Sequence, residues 1–160
     1  MLSDVVRIGD AGDRAEIRYM GAELTIWRIA TRDLLWTAKS PIWPRTSPVL
    51  FPIVGRLRGG VIAIGAKKYP MGVHGFAAAA RFTQIAKSED SVCLRLTDTA
   101  ATRSIFPFSF ELDISYWEGA RRLAPSLRSR ILVMSPSPMR WDGIRALLGL
   151  SREDRETNTR

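Results

Sequence analysis

A single histidine, His74, lies in the stretch "KKYPMGVHGFAAAARF" between Lys67 and Phe82. An imidazole in such a loop can move protons, ligate a metal, contact a ligand, or satisfy a turn carbonyl. The Tyr-Pro pair before it and Gly75 after it favour a turn, so the last reading stands beside the others. Acid–base catalysis needs groups within hydrogen-bond reach of different substrate atoms, and one histidine cannot supply two of them. One histidine and one cysteine, Cys93, do not assemble a structural zinc site. No metal and no cofactor are expected. Cys93 has no disulfide partner and alternates with apolar residues in "SVCLRLT", which predicts a buried core thiol. The late acids Glu153, Asp154 and Glu156 fall in a polar terminal stretch.

The elements that must hold His74 are short strands. In "FPFSFELDISYW", Phe108, Phe110, Leu112, Ile114 and Tyr116 alternate with polar residues, the period of a half-buried strand. "SVCLRLTD" alternates Val92, Leu94 and Leu96 with Cys93 and Arg95. "RAEIRYMGAELTIWRI" carries Ala15, Ile17 and Tyr19, breaks at Gly21, and resumes with Leu24 and Ile26, predicting two strands across a glycine turn. "PVLFPIVGRL" is apolar but holds two prolines, so it predicts a strand end or an ordered loop. "WTAKSPIWPRTSP" is a loop with two tryptophans. No long amphipathic helix precedes Gly119. Many short strands with Gly/Pro turns predict an all-β sandwich or barrel.

The net charge of +8 suggests an anionic macromolecule until its distribution is counted. Residues 1–118 hold 15 basic and 12 acidic side chains, while residues 119–160 hold 9 and 4. The excess therefore sits in the last quarter, where strand alternation also stops. Ile144, Leu147 and Leu148 there fit one side of a short helix, and "SREDRETNTR" has the composition of a disordered end. A basic nucleic-acid-binding protein is the weakest reading, because the arginines show no motif and no interleaved aromatics beyond Trp141. No apolar run approaches the roughly 20 residues of a membrane helix. The opening residues do not resemble a signal peptide, so the default location is cytoplasmic.

"SPVLFPIVGRLRGG", followed by "YPMGVHGFA", resembles the bacterial aldose 1-epimerase (galactose mutarotase-like) family, in particular members carrying "LFPIVGRL" and "HGFAR". "GAEL" at 21–24, "LLW" at 34–36, Trp43, Phe82 and "FPFSFELDISY" at 106–116 support it, over about residues 14–118. The resemblance implies the N-terminal part of a large β-sandwich (supersandwich) that binds an aldose in an open cleft. In this family a carboxylate takes the proton from the anomeric hydroxyl and a histidine protonates the ring oxygen. The ring opens, the C1–C2 bond rotates, and the ring closes as the other anomer. Arg56 matches the sugar-contacting arginine and His74 the first histidine. Phe76 is expected to wall the cleft or to join the core. Trp36 and Trp43 are expected to anchor their loop or to stack on a sugar face.

Two features depart from the family pattern. Ala78 stands where "HGFAR" has its arginine. The second histidine, in an "HP" motif, and the late catalytic glutamate are both absent, so no complete catalytic set is present. A one-base change of frame accounts for this. Joining the last base of each codon from Arg130 onward to the first two of the next permits "NPGDEPLPYAVGWHPGFAWPLPGG". The glycine of "VGW" is forced, because the Trp141 codon ends in G and the Asp142 codon begins with GA. This peptide resembles the missing second-histidine segment. The expectation is a partial sandwich domain over 1–118 and a basic, out-of-frame, irregular or short helical tail over 119–160. Its ligand is an aldose, free or phosphorylated, with no nucleic acid and no membrane as partner. Its activity is that of an impaired epimerase or of a carbohydrate-binding domain without turnover. The sequence leaves the oligomeric state and the choice of sugar open.

Overall fold

The computed structural model describes residues 4–36, 43–119 and 122–130, with side chains placed up to residue 117. Two four-stranded antiparallel sheets carry the chain. The first contains β1 (Val5–Gly9), β2 (Arg14–Arg18), β3 (Leu24–Ile29) and β4 (Arg32–Asp33) in sequence order. The second runs β10 (Arg122–Arg130), β9 (Glu111–Gly119), β8 (Ser91–Thr97), β7 (Thr83–Lys87). A separate hairpin pairs β5 (Val61–Ile64) with β6 (Lys67–Pro70). The all-β expectation holds. The longest helix among the described residues is α1 (Ala100–Ile105), and none is long and apolar enough to cross a membrane.

Alternation decides which face each strand buries. Val92, Leu94 and Leu96 of β8, and Leu112, Ile114 and Tyr116 of β9, point into one core. Val6 and Ile8 of β1, Ala15 and Ile17 of β2, and Leu24 of β3 meet them there. Main-chain bonds stitch the sheets at their ends: Gly9 N–H to the Glu89 carbonyl at 2.8 Å, and Phe82 N–H to the Tyr19 carbonyl at 2.8 Å. Phe106, Phe108 and Phe110 are buried although they precede β9. Their alternation continues the strand's inward face without its ladder.

Three expectations are corrected. Cys93 is half-buried and lies on the face it shares with Arg95, opposite the core-facing Val92 and Leu94. Period two, rather than apolar character, fixed its side. On that face Arg95 holds Asp113 through two bonds of 2.6 Å. Ile26 does not share the inward face of Leu24. A register shift between Glu16 and Ile17 sets Trp27 opposite Ala15 and Ile26 opposite Glu16. The stretch after Tyr116, which lacks apolar alternation, continues as β10 from Arg122↔Gly119 to Arg130↔Glu111. A strand at a sheet edge is held by its main-chain ladder, and an edge also tolerates Pro125. The short helix expected around Ile144, Leu147 and Leu148 lies outside the described residues.

One side-chain bond clamps the second sheet to the first. The buried Tyr116 hydroxyl donates to the Ala22 carbonyl at 2.8 Å, in the turn between β2 and β3. Burial pushes the Tyr116 phenol up to about 12, and the nearby Glu23 carboxylate adds to this. The folded phenol therefore keeps its proton where the unfolded one, near 10, loses it. Stability from this group is full below pH about 10 and falls as pH rises toward about 12. Tyr116→Phe is expected to cost about 1–2 kcal/mol in urea unfolding at neutral pH, because it orphans a buried carbonyl. It should also remove that share of the alkaline loss. A wild-type and variant pair whose stability difference stays constant across that range would contradict the assignment.

Candidate functional site

Arg56, His74 and Phe76 lie on two loops, 51–57 and 71–76. Phe51, Pro52 and Ile53 are buried and anchor the first. The Phe51 carbonyl accepts from Phe76 N–H at 2.9 Å and Ala77 N–H at 3.2 Å, and Phe51 N–H donates to the His74 carbonyl at 3.2 Å. Gly75 makes this approach possible. Its φ is +76°, and a Cβ there would overlap the Phe51 carbonyl and lie 2.6 Å from Pro52 Cδ.

His74 and Gly55 are joined twice. His74 N–H donates to the Gly55 carbonyl at 2.8 Å, and Gly55 N–H donates to His74 Nδ1 at 2.9 Å. His74 adopts a left-handed φ of +65°, a region where His is enriched among non-glycine residues. That backbone conformation lets the ring turn back on Gly55. Nδ1 is occupied as an acceptor, so the hydrogen of the neutral ring sits on Nε2. Nε2–H has no protein partner among the described residues, which leaves it as a donor for a ligand. The ring is half-buried. His74 is thus both a histidine tied into a turn and a group with one nitrogen free; the turn bond goes to an amide N–H, not to a carbonyl.

Arg56 follows Gly55 directly, is exposed, and has no hydrogen-bond or ion-pair partner among the described residues. Phe76 is half-buried and packs edge-on to Phe51 with ring centroids 5.9 Å apart. It also lies 6.2 Å from Phe106 and 5.8 Å from Phe110. Phe76 therefore belongs to the aromatic cluster beneath the loops, and it supports His74 from two residues away. Gly55, which sequence reasoning passed over, is the residue that orients the imidazole. Its signal was the glycine of "VGRL".

Two grooves on the described surface are lined by neither Arg56 nor His74. One, of about 490 Å³, runs over the first sheet between Glu16, Arg18, the Arg28–Asp33 pair and Trp36. Trp36 and Trp43 are more than half and half exposed, at 58% and 50%. They contact each other through a 3.5 Å bond from Trp36 Nε1 to the Trp43 carbonyl. Trp36 lines this groove, and Trp43 is tied to it through that bond. The second groove, of about 570 Å³, is bordered by Glu23, Arg18, Arg45 and Ala78. Glu23 is buried there and accepts Thr46 N–H at 2.7 Å and Ser47 N–H at 3.3 Å. The small side chain of Ala78 leaves this second groove open at the position where "HGFAR" carries arginine. Arg45 reaches the Ala78 carbonyl at 3.3 Å.

A family profile described as aldose 1-epimerase matches residues 4–117. The chain belongs to the aldose 1-epimerase family. A galactose mutarotase related enzyme from Lactobacillus acidophilus is similar over 81% of this chain, at 31% identity and a TM-score of 0.77. A galactose mutarotase-like protein from Lactobacillus casei ATCC 334 is similar over 82%, at 28% identity and the same TM-score of 0.77. The match takes in 44% of the first relative and 45% of the second, so the aldose 1-epimerase-like chain spans about half their length. A putative aldose 1-epimerase from Escherichia coli K12, at 15% identity and a TM-score of 0.61, shares the fold. No functionally curated protein matches. The two antiparallel sheets are accordingly part of a galactose mutarotase-like β-sandwich.

Proposed function

We propose that this chain is the aldose-binding part of an aldose 1-epimerase and that Arg56 and His74 contact the sugar. The double hydrogen bond between Gly55 and His74 carries this reading, because it brings residues 19 positions apart side by side. Arg56 offers a fork of donors suited to hydroxyl and ring oxygens, and His74 offers Nε2–H. The ligand is a hexose, free or phosphorylated, and Phe76 acts by bracing the loop. Ring opening also needs a base at the anomeric hydroxyl, and loops 51–57 and 71–76 contain no Asp or Glu. The second histidine and late glutamate of the family have no counterpart in this sequence. The reading is therefore an aldose 1-epimerase-like site that binds the sugar and is impaired in turnover.

Residues 119–160 form the out-of-frame tail of this proposal. Supporting it, the family match ends at residue 117 and the shifted codons permit the second-histidine segment. A single cysteine and a sugar ligand are consistent with a cytoplasmic protein. Polarimetry of freshly dissolved glucose or galactose tests the catalytic part: the chain is expected to leave the buffer rate unchanged. A rate above buffer that is lost in His74→Asn would overturn it.

A further inference from the structure

We propose that the groove over the first sheet is a second saccharide site, one that takes a neutral sugar of two or three units. It is independent of the Arg56–His74 reading, because neither residue lines this groove. β2 and β3 form its floor. Glu16 and Arg18 alternate along β2 with the buried Ala15 and Ile17, and Ile26 stands opposite Glu16 on β3, so the groove lies on the face turned away from the core. Its volume of about 490 Å³ falls in the range of sites for drug-sized ligands, a class that includes di- and trisaccharides.

The charges that line the groove are already matched. Arg28 holds Asp33 through Nε at 2.7 Å and Nη2 at 2.8 Å. Glu16 accepts from Arg7 Nε at 2.9 Å, and Arg18 lies 3.8 Å from the buried Glu23. A charged ligand would compete with these pairs, whereas a neutral one leaves them intact. The pairs also hold in place the donors and acceptors that sugar hydroxyls need, since a hydroxyl both donates and accepts. Arg28 Nη1 has no partner among the described residues and remains a donor. Each Asp33 oxygen accepts one bond from Arg28, which leaves lone pairs on a side chain that is 58% exposed. Thr25 Oγ1 donates to the Glu16 carbonyl at 3.1 Å and can still accept. Trp36 supplies the apolar wall, because it lines the groove and is more than half exposed. The one donor of its ring goes to the Trp43 carbonyl, so a ligand meets the ring through its carbon surface. A sugar ring presents C–H faces rimmed by hydroxyls, and an indole beside fixed polar pairs matches both surfaces.

NMR titration of the ¹⁵N-labelled 160-residue chain with maltotriose and with cellotriose tests this. With at least one of them, the Trp36 indole N–H and the amides of Thr25, Ile26 and Asp33 are expected to shift together and saturate. Trp36→Ala, at an exposed position, should weaken that binding about two- to tenfold, the scale of one aromatic stacking contact, with thermal unfolding unchanged. Asp33→Ala, which removes the exposed acceptor, should weaken it as well. His74→Asn should leave this response as it is. The absence of saturable shifts with both trisaccharides would overturn the inference, as would equal affinity in wild type, Trp36→Ala and Asp33→Ala. Shifts confined to the amides of Gly55, Arg56 and His74 would also overturn it, while leaving the Arg56–His74 reading in place.

Discussion

Gly75→Ala is expected to cost about 2–5 kcal/mol, a large part of the 5–15 kcal/mol that holds a typical domain together. Two costs combine. The φ of +76° is unfavourable for any side chain by about 1–2 kcal/mol. The new methyl must also displace the Phe51 carbonyl and Pro52, and overpacking of this kind costs about 1–3 kcal/mol. The displaced carbonyl is the one that accepts Phe76 and Ala77 N–H. Displacing it loosens the link between loops 51–57 and 71–76. Gly60→Ala is the control, because its φ is +66° and nothing lies within 4 Å of a Cβ there. It should lose only the conformational share. Urea unfolding of the two variants measures the difference, and equal losses would show that the close approach at Gly75 is not made.

Restoring the shifted reading frame from about residue 118 is the second large expected effect. The tail would then carry "GWHPGF", with a histidine encoded across the Gly143 and Ile144 codons. His74 would gain the second histidine whose absence limits the present sequence. Continued in that frame to the family's late glutamate, the chain would hold a carboxylate and two histidines. General acid–base groups contribute on the order of 10²–10⁴-fold in rate. Mutarotation at least about a hundredfold above buffer is therefore expected from the frame-restored protein, and none from the present chain. A gene whose codons across 117–150 do not give the shifted peptide would end this proposal before any assay.

Much of the fold was legible because half-buried strands write period two into sequence. β8 and β9 could be read from Val92, Leu94, Leu96 and from Leu112, Ile114, Tyr116. The Gly21 turn was legible because its φ of +72° favours glycine. Ile26 was misplaced because a bulge is a register event with no composition of its own. Cys93 was misplaced because its apolar character was weighed above its position. The β5–β6 hairpin was missed, although Gly65 at φ +59° marks its turn. The site was legible only through its motifs. Arg56, His74 and Phe76 were all named, but the coupling of Gly55 to His74 spans two loops and no local pattern carries it. The sequence leaves Phe76 between cleft and core, and its packing against Phe51, Phe106 and Phe110 puts it on the core side.

Backbone amide shifts of the ¹⁵N-labelled chain, titrated with glucose and with glucose 6-phosphate, test the central claim most directly. If Arg56 and His74 bind the sugar, the amides of Gly55, Arg56 and His74 shift together and saturate. His74→Asn, which tolerates the same positive φ, should then weaken that response while the fold persists. Saturable shifts confined to the groove beside Trp36, or none at Gly55 and His74 with either sugar, would contradict the account.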